Sequence, residues 1–267
     1  MTVLQMLTPR AGLRVLVTGG ASGIGLAIAQ AFVETGARVH VCDASAPTID
    51  ELQKTQQAAA SPITATLADV ADRGAVDRVF ADVAQQLGGL DVLVNNAGIA
   101  GPTAGVDEMD PDAWDQTIGI NLNAQFYFAR RAVPLLREAP HGGSIIALSS
   151  VAGRLGYAYR TPYSATKFAI VGLTQSLAIE LGPAGIRVNT IQPGIVKGPR
   201  IERVIAARAQ QLGLSYAEME QRYLDKISLR RMTTAEEVAA TALFLCSPAG
   251  MGISGQAISV CGNVEVL

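Results

Sequence analysis

A phenol and an ammonium stand four residues apart in the run TPYSATKFAI (161–170), where Tyr163 and Lys167 sit among small or apolar side chains. In a helix, side chains at i and i+4 lie one above the other on one face, so the spacing makes them neighbours. An ordinary phenol titrates near 10 and is a poor base at neutrality. A unit positive charge about 4 Å away, at an effective dielectric near 20, favours the phenolate by roughly 4 kcal/mol, the size of effect that brings such a group toward neutral pH. The pair reads as a general acid/base with its own cation. Spacing alone is weak support, since with six Tyr and four Lys in the chain it arises in roughly one shuffle in ten.

Context strengthens the reading. Ser150 ends the apolar run GSIIALSS (143–150), and a hydroxyl there can hold a substrate oxygen while Tyr163 exchanges a proton with it. Asn121, in GINLNAQF, is a candidate to kink its helix and hold a water leading to Lys167. Other chemistries are poorly served. His40 and His141 are the only histidines and have no paired carboxylate or Cys spacing, which argues against a metal site and against a Ser-His-Asp triad. Cys42, Cys246 and Cys261 are far apart in apolar surroundings, as expected of reduced structural thiols.

The elements that position these residues are legible from apolar periodicity. RVLVTG (14–19), RVHVCD (38–43), ITATLADV (63–70), LDVLVNNAG (90–98), GSIIALSS (143–150), IRVNTIQPG (186–194) and GQAISVCG (255–262) are short and nearly continuous in apolar residues, the pattern of strands covered on both faces. Helical spacing lies between them. Ile24, Ile28, Ala31 and Phe32 recur over 24–35 with Gly36 as a stop, and further helices are expected over 163–181 and 234–246. Strand and helix in alternation predict an α/β fold, an open, doubly wound parallel sheet with helices on both faces. The segment 196–229 breaks the rhythm: it is long, polar and helical, and is expected to act as a lid over the site.

The first strand runs into TGGASGIG (18–25) and then into a helix. Glycines at such a junction let a phosphate approach the backbone, and the helix N-terminus supplies free N–H groups and positive potential. The spacing, T-G-x-x-x-G-x-G, is longer than the usual dinucleotide fingerprint. Asp43 ends the next strand about twenty residues on, where a carboxylate accepts both hydroxyls of an adenosine ribose and repels a 2′-phosphate. No Arg or Lys lies in the glycine loop, so NAD is expected rather than NADP. Asp69 at a strand end is expected beside the adenine. Asn95 and Asn96, before Gly98, are expected where the cofactor passes the backbone, unless they are ordinary turn formers.

Bulk properties exclude other classes. The 267 residues are 49% hydrophobic and 16% charged, with a formal net charge of −2 and pI near 5.7. That balance gives no basic field for nucleic acid. No apolar run suits a membrane span, and MTVLQMLTPR lacks the order of a secretion signal. One domain over 1–267, soluble and cytoplasmic, is expected.

In order and approximate spacing, TGGASGIG, NNAG (95–98), INL (120–122), a Ser-Ser pair ending thirteen residues before Tyr163, YSATK and NTIQPG (189–194) resemble the NAD-type, single-domain short-chain dehydrogenases/reductases. The resemblance covers essentially the whole chain. It implies a Rossmann-like parallel sheet of about seven strands and hydride transfer between nicotinamide and a secondary alcohol or ketone. By position it implies Tyr163 as acid/base, Lys167 as its partner that also binds the nicotinamide ribose, Ser150 as the substrate-orienting hydroxyl, and Asn121 as a fourth member acting through a relay water. Cofactor contacts are implied at Gly19, Ser22, Gly23, Ile24, Gly25, Asp43, Asp69, Val70, Asn96, Ala97, Gly98, Tyr163, Lys167, Pro193, Gly194, Ile195 and Val196, with no metal. A homo-oligomer, tetramer or dimer, is implied as well.

Two departures stand out. PGIVKGP has Gly198 where the family often has a cofactor-touching Thr, and VCGN has Cys261 where it often has Asp. Specificity for a small hydroxy compound or sugar derivative is expected from Arg154, Tyr157 and Tyr159 on one side and Arg200, Arg203, Tyr216 and Tyr223 on the other. The competing class is a catalytically idle NAD-binding sensor or scaffold of the same fold; a nucleotide-sugar epimerase would need a larger C-terminal domain.

Overall fold

The computed structural model describes residues 2–56 and 63–266. Seven strands form one sheet among the described residues: β1 (Arg14–Thr18), β2 (Arg38–Asp43), β3 (Thr64–Leu67), β4 (Val92–Asn95), β5 (Ser144–Leu148), β6 (Arg187–Pro193) and β7 (Ala257–Val260). Their order is β3-β2-β1-β4-β5-β6-β7, and every neighbouring pair is parallel. The helices are α1 (Val3–Met6), α2 (Gly23–Glu34), α3 (Ala46–Gln56), α4 (Arg73–Leu87), α5 (Pro111–Ile118), α6 (Ala124–Arg137), α7 (Thr161–Leu181), α8 (Pro199–Leu212), α9 (Tyr216–Leu224) and α10 (Ala235–Cys246). The chain reverses its direction of travel across the sheet between β1 and β4, and ligands of such sheets bind at the carboxyl ends of the strands beside that point.

Alternation along the strands builds two cores. Val15 and Val17 of β1 join Ile28 and Phe32 of α2 and Val238, Ala242 and Leu245 of α10 on one face. Leu16, between them, points to the other face, against Val76, Val79 and Phe80 of α4 and Phe128 and Ala132 of α6. Each fully buried Val, Leu, Ile or Phe contributes about 1.5–3 kcal/mol, and a one-residue slip of a strand would exchange the two sets, so register is strongly specified.

Several strands end earlier than apolarity predicts. β3 stops at Leu67 rather than Val70, β4 at Asn95 rather than Gly98, and β5 at Leu148 rather than Ser150. Beyond these points Asp69, Asn96 and Ser150 lie in loops along the carboxyl edge, while Ser149 N–H still donates to the Ile191 carbonyl of β6 at 2.9 Å. The segment 196–229 holds α8 and α9, which share a small core of Ile205, Ala209 and Met219 backed by Ile201, Leu214 and Tyr223. No described helix is long and apolar enough to cross a membrane.

His40 of β2 carries no catalytic contact but is buried, its ring nitrogens 2.7 and 2.9 Å from the hydroxyls of Thr64 and Thr66. Burial lowers its pKa to about 4, against the opposing pull of Asp82. The unfolded imidazole titrates near 6.5, so between these values only the unfolded chain binds the proton. This contribution to stability is complete above about pH 6.5 and lost by about pH 4, and amounts to roughly 3 kcal/mol. Denaturant unfolding at pH 7 and pH 4 is therefore expected to show the wild type losing about 3 kcal/mol more than His40→Gln; equal losses would refute the assignment.

Candidate active site

The glycine loop is held by side chains from the neighbouring strand end. Asn96 Nδ2 donates to the carbonyls of Thr18 and Gly19, each at 2.9 Å, and Thr18 Oγ1 accepts from the N–H groups of Asn96 and Ala97, each at 3.0 Å. Gly19 adopts φ +60°, a left-handed conformation that favours glycine. A Cβ on Gly25 would stand 2.1 Å from the Gly19 oxygen, so only glycine lets α2 start this close to the turn. Ser22 precedes α2 without a side-chain cap hydrogen bond, and a Cβ on Gly23 would meet nothing within 4 Å. The first-turn N–H groups of α2 thus face an open cradle suited to a phosphate. Ile24, by contrast, packs on the core of α2.

The Asp43 carboxylate stands beside this loop, accepting from Ala21 N at 3.3 Å and Ser45 N at 3.1 Å. Asp69 is exposed and lies two residues past the end of β3, accepting from Ala71 N at 2.9 Å in a local turn, while the Val70 side chain is buried in the core. On the far side, Pro193 ends β6, and a Cβ on Gly194 would lie 2.7 Å from Cys261 Cβ, which gives Cys261 a packing role. The Ile195 carbonyl accepts from Thr233 N at 3.0 Å, and Val196 bridges to the same residue.

Tyr163 and Lys167 lie in the first two turns of α7, with Lys167 Nζ 5.6 Å from the Tyr163 ring centroid. Lys167 is 4% exposed and its ammonium donates to the Leu148 carbonyl at the end of β5 at 2.8 Å. Ser149 Oγ donates to the Lys167 carbonyl at 2.7 Å, tying the same strand to the same helix. Ser150 is buried, its Oγ accepting from Ala152 N at 3.2 Å. The expected kink at Asn121 is a π-helical turn, Gly119–Asn123, between α5 and α6. There the Asn121 amide grips the main chain of Ile99, accepting from its N–H at 2.8 Å and donating to its carbonyl at 3.0 Å, and donates to Thr166 Oγ1 at 3.3 Å. Gly98 closes the group: a Cβ there would lie 3.2 Å from Asn121 Oδ1 and 3.5 Å from Lys167 Nζ. Ser150, Tyr163, Lys167 and Asn121 thus come from three separate parts of the chain, the end of β5, α7 and the π-helical turn, to one end of the sheet.

Burial pushes the Cys42 thiol up to about 12 and Cys246 up to about 11, which makes both inert at neutrality. The described residues contain no metal-binding cluster. Among the residues expected to set specificity, Arg154 is turned to the C-terminal segment, donating to the Val264 carbonyl at 3.1 Å and approaching Cys261 Sγ at 3.6 Å. Tyr159 and Tyr216 are exposed, and the side chain of Arg200 lies outside the described residues. Sequence reasoning missed Arg160, whose guanidinium carbon is 5.3 Å from the ring centroids of both Tyr157 and Tyr163. The available signal was a cation one helical turn ahead of the tyrosine.

A family model described as enoyl-(acyl carrier protein) reductase matches residues 19–263. The chain belongs to the short-chain dehydrogenase/reductase family. Among relatives in this family, the 3-oxoacyl-acyl-carrier-protein reductase of Thermotoga maritima is 35% identical over 94% of this chain and 97% of its own. Galactitol 2-dehydrogenase of Agrobacterium fabrum is 36% identical over 93% of this chain and 95% of its own. A crystal structure of an actinorhodin polyketide ketoreductase variant with NADPH superposes with TM-score 0.88 and 30% identity, covering 95% of this chain and 97% of that one.

Asn96→Ala removes the donor that serves two loop carbonyls. It is expected to cost about 1–3 kcal/mol in denaturant unfolding, with faster amide exchange over 18–25. Unchanged exchange there would show that the loop holds itself.

Proposed function

We propose that the protein is an NAD-dependent oxidoreductase that interconverts a secondary alcohol and its ketone, with Tyr163 as the acid/base. The observation that carries this reading is the buried ammonium of Lys167 anchored at the end of β5 with the Tyr163 ring beside it. A bound nicotinamide dinucleotide supplies the hydride acceptor or donor. The residues present fit such a group: the open cradle at Ser22 and Gly23, the bare backbone at Gly98 and the carboxylate at the end of β2. Gly19 and Gly25 shape the pyrophosphate turn and Asp43 takes the adenosine ribose. Asp69 and Val70 flank the adenine, Asn96 and Ala97 hold the loop, and the Pro193–Val196 stretch borders the nicotinamide.

Tyr163 accepts the hydroxyl proton in oxidation and returns it to the carbonyl oxygen in reduction. Lys167 places its positive charge beside the Tyr163 ring and meets the nicotinamide ribose, while Ser150 donates to the substrate oxygen and so orients it against Tyr163. Asn121, by gripping Ile99, keeps the π-helical turn beside Lys167, where a relay water completes the path to solvent. Asp43 disfavours a 2′-phosphate by charge repulsion, and this supports NAD over NADP even though the superposed ketoreductase holds NADPH.

The substrate is a small hydroxy compound, sugar derivatives included. The helices α8 and α9, within 196–229, act as its lid in a single catalytic domain spanning 1–267. The exposed apolar side chains of Phe126 on α6 and of Phe168 and Ile179 on α7 support a homo-oligomer, dimer or tetramer. The reading places the enzyme in the cytoplasm.

Tyr163→Phe is expected to lower kcat by at least about 10²-fold, the scale of general acid–base catalysis, with dinucleotide binding by fluorescence retained; undiminished turnover would refute the mechanism. Asp43→Ser is expected to shift the NAD/NADP ratio of kcat/KM toward NADP by roughly tenfold or more, since about 1.4 kcal/mol of lost repulsion is enough. A ratio that does not move would remove Asp43 from the ribose site.

A further inference from the structure

Arg160 breaks three local rules at once. The residue before it, Tyr159, is a non-glycine residue at φ +62°, a left-handed conformation that costs energy and is kept only where surroundings demand it. The backbone is pinned there by a hydrogen bond from Ala104 N to the Tyr159 carbonyl at 3.0 Å. Arg160 itself occupies the cap position of the 21-residue helix α7, where the dipole already presents positive potential, and the first turn holds no acidic residue. Its Nη2 donates to the Ala100 carbonyl at 2.6 Å, yet its Nε–H is buried with no acceptor. Among the described residues no carboxylate forms an ion pair with it.

The surroundings add positive charge and aromatic surface. The guanidinium carbon lies 5.3 Å from the ring centroids of both Tyr157 and Tyr163. Tyr223 of α9 is half-buried nearby: burial and the Tyr157 hydroxyl raise its pKa, while the charges of Arg208 on α8 and Arg160 oppose them. Local stability does not explain a cation put here, and sites where local rules fail together are commonly functional. An arginine with most of its fork of donors unused beside a reacting centre matches a planar or tetrahedral oxyanion.

We propose that the substrate carries an anionic group close to its reacting carbon, and that Arg160, assisted by Arg208, binds that group and thereby selects the substrate. This rests on the oxidoreductase reading above and supplies its substrate class: a short hydroxy or oxo compound bearing a carboxylate, sulfonate or phosphate. Arg160, not the Arg154 turned toward the C-terminal segment, is the residue that recognises charge.

The test is steady-state kinetics of the full chain with NAD and with NADP on matched alcohols: 3-hydroxybutanoate, 3-hydroxybutanesulfonate and 3-hydroxybutyl phosphate, against methyl 3-hydroxybutanoate and butan-2-ol. At least one anionic member is expected to exceed the neutral ones in kcat/KM by about 30-fold, the scale of a charge-assisted hydrogen-bonded pair. Arg160→Gln is expected to bring that ratio to within about threefold of unity, mainly through KM, while Arg160→Lys keeps part of it. Dinucleotide binding by each variant confirms that the fold is intact. Neutral alcohols reacting as well as anionic ones, or a preference that survives in Arg160→Gln, would overturn the inference and leave the oxidoreductase reading standing. No reaction of any member, charged or neutral, would overturn both.

Discussion

Burying one ammonium is the constraint from which the rest of the site follows. A charged amine taken out of water costs several kcal/mol unless acceptors meet it, and Lys167 is 4% exposed. The carbonyl of Leu148, the last residue of β5, meets it. Ser149 then reaches the Lys167 carbonyl, and Ser164 Oγ of α7 reaches the Ala152 carbonyl at 2.9 Å. Between these ties a Cβ on Gly153 would lie 2.5 Å from the Lys167 oxygen, so strand end and helix are in near contact. These contacts fix the register of α7 against β5, and the position of the Tyr163 ring follows from that register.

The sheet was legible in the sequence because its strands are covered on both faces. Arg38–Asp43, for example, was read with the bounds it has in the structure, since continuous apolarity marks a buried parallel strand. Strand ends were less legible. Asp69, Asn96 and Ser150 adjoin apolar runs, and nothing in the run says at which residue the ladder gives way to side-chain hydrogen bonding. The helix-breaking tendency at Asn121 was readable from residue type, but its grip on Ile99 was not, because it joins residues 22 apart across the fold. Arg160 was missed for a similar reason: its meaning lies in Ala100, Tyr157 and Tyr163, which only the folded chain assembles around it.

The loops at the carboxyl edge share one physical task. Where parallel strands end, main-chain groups lose their ladder partners and must be satisfied by other donors and acceptors. Here Asn96 serves Thr18 and Gly19, Thr18 serves Asn96 and Ala97, Asn121 serves Ile99, and the Thr233 hydroxyl serves the Ile195 carbonyl. None of these side chains need touch a substrate. Each holds a loop whose other face is left open, and the short polar residues so common along this edge are explained by that duty before any chemistry is invoked.

This division of labour also explains why the interior tolerates so many polar side chains. Thr18, Asn95, Asn121, Gln125, Ser149, Thr166 and Lys167 are all buried, and a partner can be named for each: Asn95 and Gln125, for example, exchange amide-to-carbonyl hydrogen bonds at 3.1 and 3.2 Å. A network of this kind is rigid, because moving any member strands another's donor in a medium where unmet hydrogen bonds are costly. Rigidity at the strand ends places a phenol, a hydroxyl and an ammonium within a narrow range of positions without any of the three having to hold the fold together alone. Two buried side-chain atoms among the described residues fall outside this network, Gln125 Oε1 and Arg160 Nε, and of these only Arg160 carries a charge and stands beside the rings of Tyr157 and Tyr163.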